Sequence, residues 1–138
     1  MQKKKDIIRV LFIGDIVGAP GRSAVAAFAP KIRRERAIDL VIANGENLAS
    51  GCGMTLSKYQ EMIDVGVDFF TSGNHIWGCE AFTPNLVDPN IHVLRPANYP
   101  DQFPGRGFEI IEVDGTKVLL INLLGRVFMK DEIEDPFV

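Results

Sequence analysis

Three short polar stretches hold the residues of this chain best suited to chemistry: Gly14-Asp15-Ile16-Val17-Gly18, Asn44-Gly45-Glu46-Asn47 and Ser72-Gly73-Asn74-His75. Each follows an apolar run. If those runs are parallel strands, Asp15, Glu46, Asn47, Asn74 and His75 meet at one edge of a sheet, where open α/β sheets keep their ligand sites. Carboxylates, amide oxygens and an imidazole make a ligand set that hard or borderline metals accept. The chemistry expected of such a set is metal-assisted hydrolysis of a phosphoester. Two metals about 4 Å apart polarise phosphoryl oxygens and turn a bridging water into hydroxide. Glu46 is the natural bridge, because a carboxylate has two oxygens to share. Asp15 and Asn47 would complete one metal and Asn74 the other. His75 would be the general acid, since imidazole titrates near neutral pH and can protonate a leaving alkoxide.

Each residue taken alone has a plainer reading. Asp15 is also a turn cap, Glu46 a solvated loop acid, Asn74 a turn former and His75 a packed histidine. The shared topological edge is what favours the site. Around it, Arg95 or Asn98 of the Pro-rich stretch Arg95–Pro100 is a candidate neighbour of a phosphate, and Arg126 has the same ambiguity. His92 is expected to be structural. Cys52 and Cys79 make neither a disulfide framework nor a CxxC site and read as two reduced thiols, with Cys79 four residues past His75.

The elements that must position these residues follow from hydrophobic period. Ile7–Ile13 is a nearly continuous apolar and β-branched run, the pattern of a buried parallel strand. Pro20-Gly21 punctuates the next loop, after which Ala24, Val25, Phe28 and Ile32 recur at helical spacing to about Ala37, with basic residues in the last turns. Leu40–Ala43 is a second strand, and a Gly- and Asn-rich loop runs to Gly53. Thr55 or Ser57 caps a helix with a stripe at Leu56, Tyr59, Met62 and Ile63, closed by Gly66. Val67–Thr71 is a third strand. This βαβαβ order predicts a parallel sheet with helices on its faces. Ile91–Leu94 is extended, and Phe108–Val113 and Lys117–Leu123 predict a β-hairpin about Asp114-Gly115-Thr116. An acidic tail, Asp131–Val138, ends the chain with no helix to cover the hairpin.

At 138 residues, 46% hydrophobic and 24% charged, the chain is the size of one modest α/β domain with a real core. The net charge of −3, with Lys3-Lys4-Lys5 as the tight basic run, argues against an extended nucleic-acid surface. No stretch has the length and apolarity of a signal peptide or membrane span, so a cytoplasmic location is expected.

The blocks FIGDIVGAPGR, VIANGEN, TSGNHIW, RPANYP and INLLGRVFM, in that order from about Arg9 to Pro136, resemble those of the YmdB-like branch of calcineurin-type metallophosphoesterases. The resemblance implies a four-layer α/β sandwich of which this chain is the N-terminal half, a βαβαβ unit followed by a hairpin, as one truncated domain over residues 1–138. It implies a centre of two iron or manganese ions, with zinc as an alternative, and phosphodiesterase activity on small phosphodiesters such as 2′,3′-cyclic nucleotides. By motif, Asp15, Glu46, Asn47 and Asn74 match metal ligands and His75 the proton donor. Val17 stands where the wider superfamily has a histidine, as is usual for this branch. The family pattern also continues through a second half, carrying a histidine and a His-x-His pair that complete the metal site.

Those ligands are not in this sequence, so the competing expectation is a catalytically incomplete half-domain that binds a partner or acts structurally, for instance as a homo-oligomer burying its unfinished face. Two other classes fall away. A Ser esterase would need a serine after Gly14-Asp15, where Ile16 stands. A dinucleotide site would need GxGxxG, whereas Gly14, Gly18 and Gly21 have the wrong spacing and Asp15 would repel a pyrophosphate.

Overall fold

The computed structural model describes residues 5–129 and 133–137; Lys3 and Lys4 of the basic run, and Asp131, Glu132 and Val138 of the acidic tail, lie outside them. The elements are β1 (Val10–Ile13), α1 (Gly18–Glu35), β2 (Leu40–Asn44), α2 (Leu56–Asp64), β3 (Phe69–Thr71), β4 (Val93–Leu94), β5 (Phe108–Val113) and β6 (Thr116–Ile121), with 3₁₀ turns at Asn74–Trp77 and Thr83–Val87. Four parallel strands pair in the order β1-β2-β3-β4, and β5 and β6 form a separate antiparallel pair.

The alternation along β2 shows how the layers are arranged. Val41 and Ala43 face a core built with Val25 and Ala29 of α1, Tyr59 and Met62 of α2, and Phe70 and Val93 of the neighbouring strands. Leu40 and Ile42 face the other way and join Phe69 and Leu94 against Ile111, Val113 and Leu120 of the hairpin. Both helices therefore lie on one face of the sheet, and the hairpin covers the other. This corrects the expectation of helices on both faces; two successive right-handed crossovers in one direction leave the second face open for the hairpin.

Several boundaries move for identifiable reasons. The first strand starts at Val10 rather than Ile7, because its partner β2 begins at Leu40. Before that register Asp39 takes over: its carboxylate accepts from Arg9 N at 2.9 Å, and Asp39 N donates to Arg9 O at 2.8 Å. Nor is the strand buried as predicted. Val10 and Phe12 are 46% and 60% exposed, because β1 is the edge strand and the hairpin reaches only β2, β3 and β4. Pro20-Gly21 lies inside α1, not in a loop; a proline in the first helical turn gives up an N–H that has no intrahelical partner. Phe28, expected on the buried stripe, is 61% exposed beside the same uncovered edge.

Thr55 is the cap of α2, accepting from Lys58 N at 3.3 Å. The hairpin turn is the two residues Asp114 and Gly115, with φ of 47° and 76°, while Thr116 already pairs with Val113. Positive φ at both positions is the type I′ arrangement that matches strand twist, which Asp-Gly adopts readily. The hairpin is stapled to the sheet by Asn122, buried just after β6, whose Nδ2 donates to Ser72 O at 2.7 Å and Leu94 O at 3.0 Å. Among the described residues no helix is long and apolar enough to cross a membrane.

Candidate metal and phosphoester site

The three polar stretches meet beyond the C-terminal ends of β1, β2 and β3, and backbone bonds hold them in place. Ile16 N donates to Asn44 O at 3.1 Å and Gly18 N to Asn47 O at 3.0 Å, which fastens the Asp15 loop to the Glu46 loop. Gly45 N donates to Thr71 O at 3.0 Å, which fastens the Glu46 loop to the end of β3. Across this frame runs a chain of side-chain hydrogen bonds. Asn47 Nδ2 donates to Asp15 Oδ2 at 2.8 Å, and Asn47 Oδ1 lies 2.8 Å from His75 Nδ1.

That chain assigns the histidine tautomer. A carboxylate only accepts, so the Asn47 amide must turn its NH₂ to Asp15 and its oxygen to His75; an amide oxygen also only accepts, so the proton between it and the ring belongs to Nδ1. Nε2 is then the ring nitrogen left to give or take a proton.

Glu46 is held beside the relay. Asn44 Nδ2 donates to its Oε1 at 3.2 Å while Glu46 N donates back to Asn44 Oδ1 at 3.2 Å. Glu46 Oε2 stands 3.8 Å from His75 Nδ1 and 3.5 Å from His75 N. The carboxylate lies directly over Gly73, where any Cβ would fall on its oxygens. Asn74 opens the 3₁₀ turn that carries His75. Asp15, Glu46, Asn47 and His75 are thus brought into one cluster by direct contacts, with Asn74 next to His75 and Gly73 in the chain.

Sequence reasoning missed three supports. Asn44 orients Glu46. Gly73 leaves room for it. Arg22, on α1, donates to Leu48 O at 2.7 Å and pairs with Glu61 of α2 at 3.1 Å, tying the Glu46 loop to both helices. Only Asn44, at a strand end and two residues from a carboxylate, left a trace that motif reading could use.

The expectation that Arg95 or Asn98 neighbours a phosphate is corrected, while His92 packs structurally as expected. Arg95 and Asn98 are both buried, and loop carbonyls take up Arg95 Nε and Nη1 and the Asn98 amide nitrogen, so neither serves as a surface anion contact. Arg95 bonds Gly105 O, Pro96 O and Tyr99 O, and Asn98 bonds Leu124 O and Glu134 O. Arg126 pairs with Asp135 at 3.6 Å. His92 stacks on Phe69 with ring centroids 5.2 Å apart. A cleft of 340 Å³ opens at the opposite edge of the sheet, lined by Asp39, Asp68, His92, Glu109, Glu112 and Asp114 among others. Four of its acids are already engaged: Asp39 and Asp114 by Lys5, Asp68 by Arg33 and Val41 N, and Glu109 by Arg106.

A family model described as YmdB-like protein matches residues 11–138. The chain belongs to the YmdB-like protein family. This YmdB-like chain is 39% identical over 131 residues to the 2′,3′-cyclic-nucleotide 2′-phosphodiesterase of Bacillus subtilis (strain 168), covering 95% of its own length and 49% of the relative's. In three dimensions it matches a hypothetical protein from Thermus thermophilus with TM-score 0.86 and 43% identity, covering 94% of this chain and 50% of that one. It matches a phosphatase from Mycoplasma pneumoniae with TM-score 0.86 and 29% identity, covering 94% and 48%. The YmdB-like chain therefore spans about half the length of the relatives it matches.

The donors fit one side of a metal centre. Asp15 keeps its second oxygen, Glu46 both oxygens on one side of His75, and Asn47 Oδ1 a second lone pair, all hard donors suited to iron, manganese or magnesium. Among the described residues of the YmdB-like chain, no group of three or more His, Cys, Asp and Glu surrounds a single point. Two carboxylates and two amides are too few to hold two such ions tightly, so the fit is to part of a ligand shell.

Proposed function

We propose that this chain carries the first ligand set and the proton donor of a metal-dependent phosphodiesterase acting on small phosphodiesters such as 2′,3′-cyclic nucleotides. The observation that carries this reading is the Asp15–Asn47–His75 relay, closed by Glu46, at the C-terminal edge of a parallel sheet. The phosphodiesterase named among its relatives supports the same reading. Asp15, Glu46, Asn47 and Asn74 would hold two metal ions, iron or manganese, together with ligands supplied from outside these residues. The metals would supply a hydroxide nucleophile and charge for the phosphoryl oxygens. His75, with Nδ1 committed to Asn47, offers its Nε2 proton to the departing sugar oxygen. Asp15, acting through the Asn47 amide, steadies the imidazolium that this role requires. The compartment assigned to this chemistry is the cytoplasm.

Elemental analysis after purification with manganese or iron, paired with hydrolysis of a 2′,3′-cyclic nucleotide, tests the proposal. Bound metal is expected in the wild-type chain and to be lost in Glu46→Gln. His75→Asn is expected to keep the metal and lose about 10²- to 10⁴-fold in hydrolysis, the range of a general acid. Metal-free protein with no hydrolysis would overturn the enzymatic reading and leave the half-domain, a binding or structural module, in its place.

A further inference from the structure

Cys52 and Cys79 lie in the two segments that carry the candidate ligands, and each packs on the glycine beside the other. Cys52 Sγ fills the space a Cβ on Gly78 would need. Reciprocally, a Cβ on Gly53 would lie 2.9 Å from Cys79 N and 3.1 Å from Cys79 Cβ. Both are free thiols, Cys52 exposed and Cys79 half-buried. Short backbone bonds link them to the site: Gly53 N donates to Glu46 O at 2.6 Å, and Gly78 N to His75 O at 2.9 Å. Nothing in the phosphodiesterase reading uses either sulfur.

We propose that Cys52 and Cys79 form a reversible redox pair that closes to an intramolecular disulfide under a peroxide. The exposed Cys52 thiolate attacks one peroxide oxygen; the O–O bond breaks, leaving a sulfenic acid on Cys52 and, after proton uptake, water. The Cys79 thiolate then attacks the Cys52 sulfur and displaces hydroxide, which leaves as a second water. Two thiols are oxidised, one peroxide is reduced, and a dithiol reverses the step by exchange. Bridging needs the two Cβ atoms to come within about 4.5 Å, a reach that the reciprocal packing favours. Gly51 and Gly53, with φ of 82° and 68°, let the Cys52 loop adjust without side-chain strain. Closure ties the loop of Glu46 and Asn47 covalently to the turn of Asn74 and His75. In a reducing compartment the pair rests as the dithiol and closes only under oxidant.

The test is titration of the full chain with hydrogen peroxide, followed by intact mass, non-reducing peptide mapping and amide hydrogen exchange. The expected result is loss of two hydrogens from the mass, one peptide pair joined through Cys52 and Cys79, and slower exchange over residues 45–53 and 73–79, all reversed by dithiothreitol. Cys52→Ala and Cys79→Ala should each abolish the joined pair. Independent oxygen uptake on the two sulfurs, cross-links only between chains, or two thiols that survive peroxide would overturn the proposal.

Discussion

Gly73 shows how much of this site depends on one absent methyl group. Its backbone is extended, with φ of −137°, so alanine is conformationally acceptable there; the obstacle is the Glu46 carboxylate lying on the Cα. Gly73→Ala should therefore push that carboxylate aside while leaving the fold intact. Because groups that orient a metal ligand typically matter by about 10- to 100-fold in affinity, manganese binding by calorimetry should weaken by that factor with little change in the thermal midpoint. A large fall in the midpoint instead would mean that Glu46 cannot move and that the glycine is structural. Asp39 and Lys5, at the far edge, make the complementary case. The Arg9 backbone N–H and the Lys5 ammonium hold the Asp39 carboxyl below its usual range, and Asp114 and Asp39 hold Lys5 above its own. A depressed carboxyl adds stability above its unfolded value and loses it as pH falls, so this contribution should fade below about pH 4. The raised Lys5 adds stability that is lost only as pH climbs above about 10. The melting midpoint of Asp39→Asn should lie below wild type near neutrality and converge with it below about pH 4, which a pH series of melting curves would read.

Among the elements, the hairpin shows most plainly how a buried polar contact fixes docking. Its inner face offers Ile111, Val113 and Leu120 to the sheet, but Asn122 fixes where it sits by satisfying Ser72 O and Leu94 O at the ends of β3 and β4. Removing that amide takes this donor from the buried Ser72 carbonyl, while Leu94 O keeps a 2.7 Å bond from Ser72 Oγ. Asn122→Ala should cost about 2 kcal/mol in urea unfolding, since a buried polar group left unpaired is worth about 1–3 kcal/mol. The hairpin itself was legible, because Asp114-Gly115 between two apolar runs admits few other geometries. Its docking was not, since Asn122 and Ser72 are 50 residues apart and neither stands out by type.

On the scale of the whole molecule, the described residues make three layers: helices, parallel sheet and hairpin. The hairpin's outer face presents Phe108, Ile110, Leu119 and Ile121, all more than half exposed, on directly paired positions. Val10 and Phe12 leave a second apolar area on the edge strand. Contiguous exposed apolar surface of this kind promotes association, so sedimentation velocity should show mass rising with concentration, and Ile110→Lys with Leu119→Lys should suppress it. A monomer at every concentration would show that these faces are tolerated in water.

The sequence alone determined the strand–helix alternation, the parallel sheet, the hairpin turn and the five residues gathered at one edge. These are local matters: hydrophobic period, turn chemistry and the rule that parallel strands end together. Only the tertiary structure decided which face each layer occupies, that Arg95 and Asn98 serve loop carbonyls rather than a ligand, and that Asn47 links Asp15 to His75. Most of those facts depend on contacts between residues far apart in sequence, up to 50 positions for Asn122 and Ser72, whose partners are selected by packing and by the need to satisfy buried donors, and no local pattern encodes that selection.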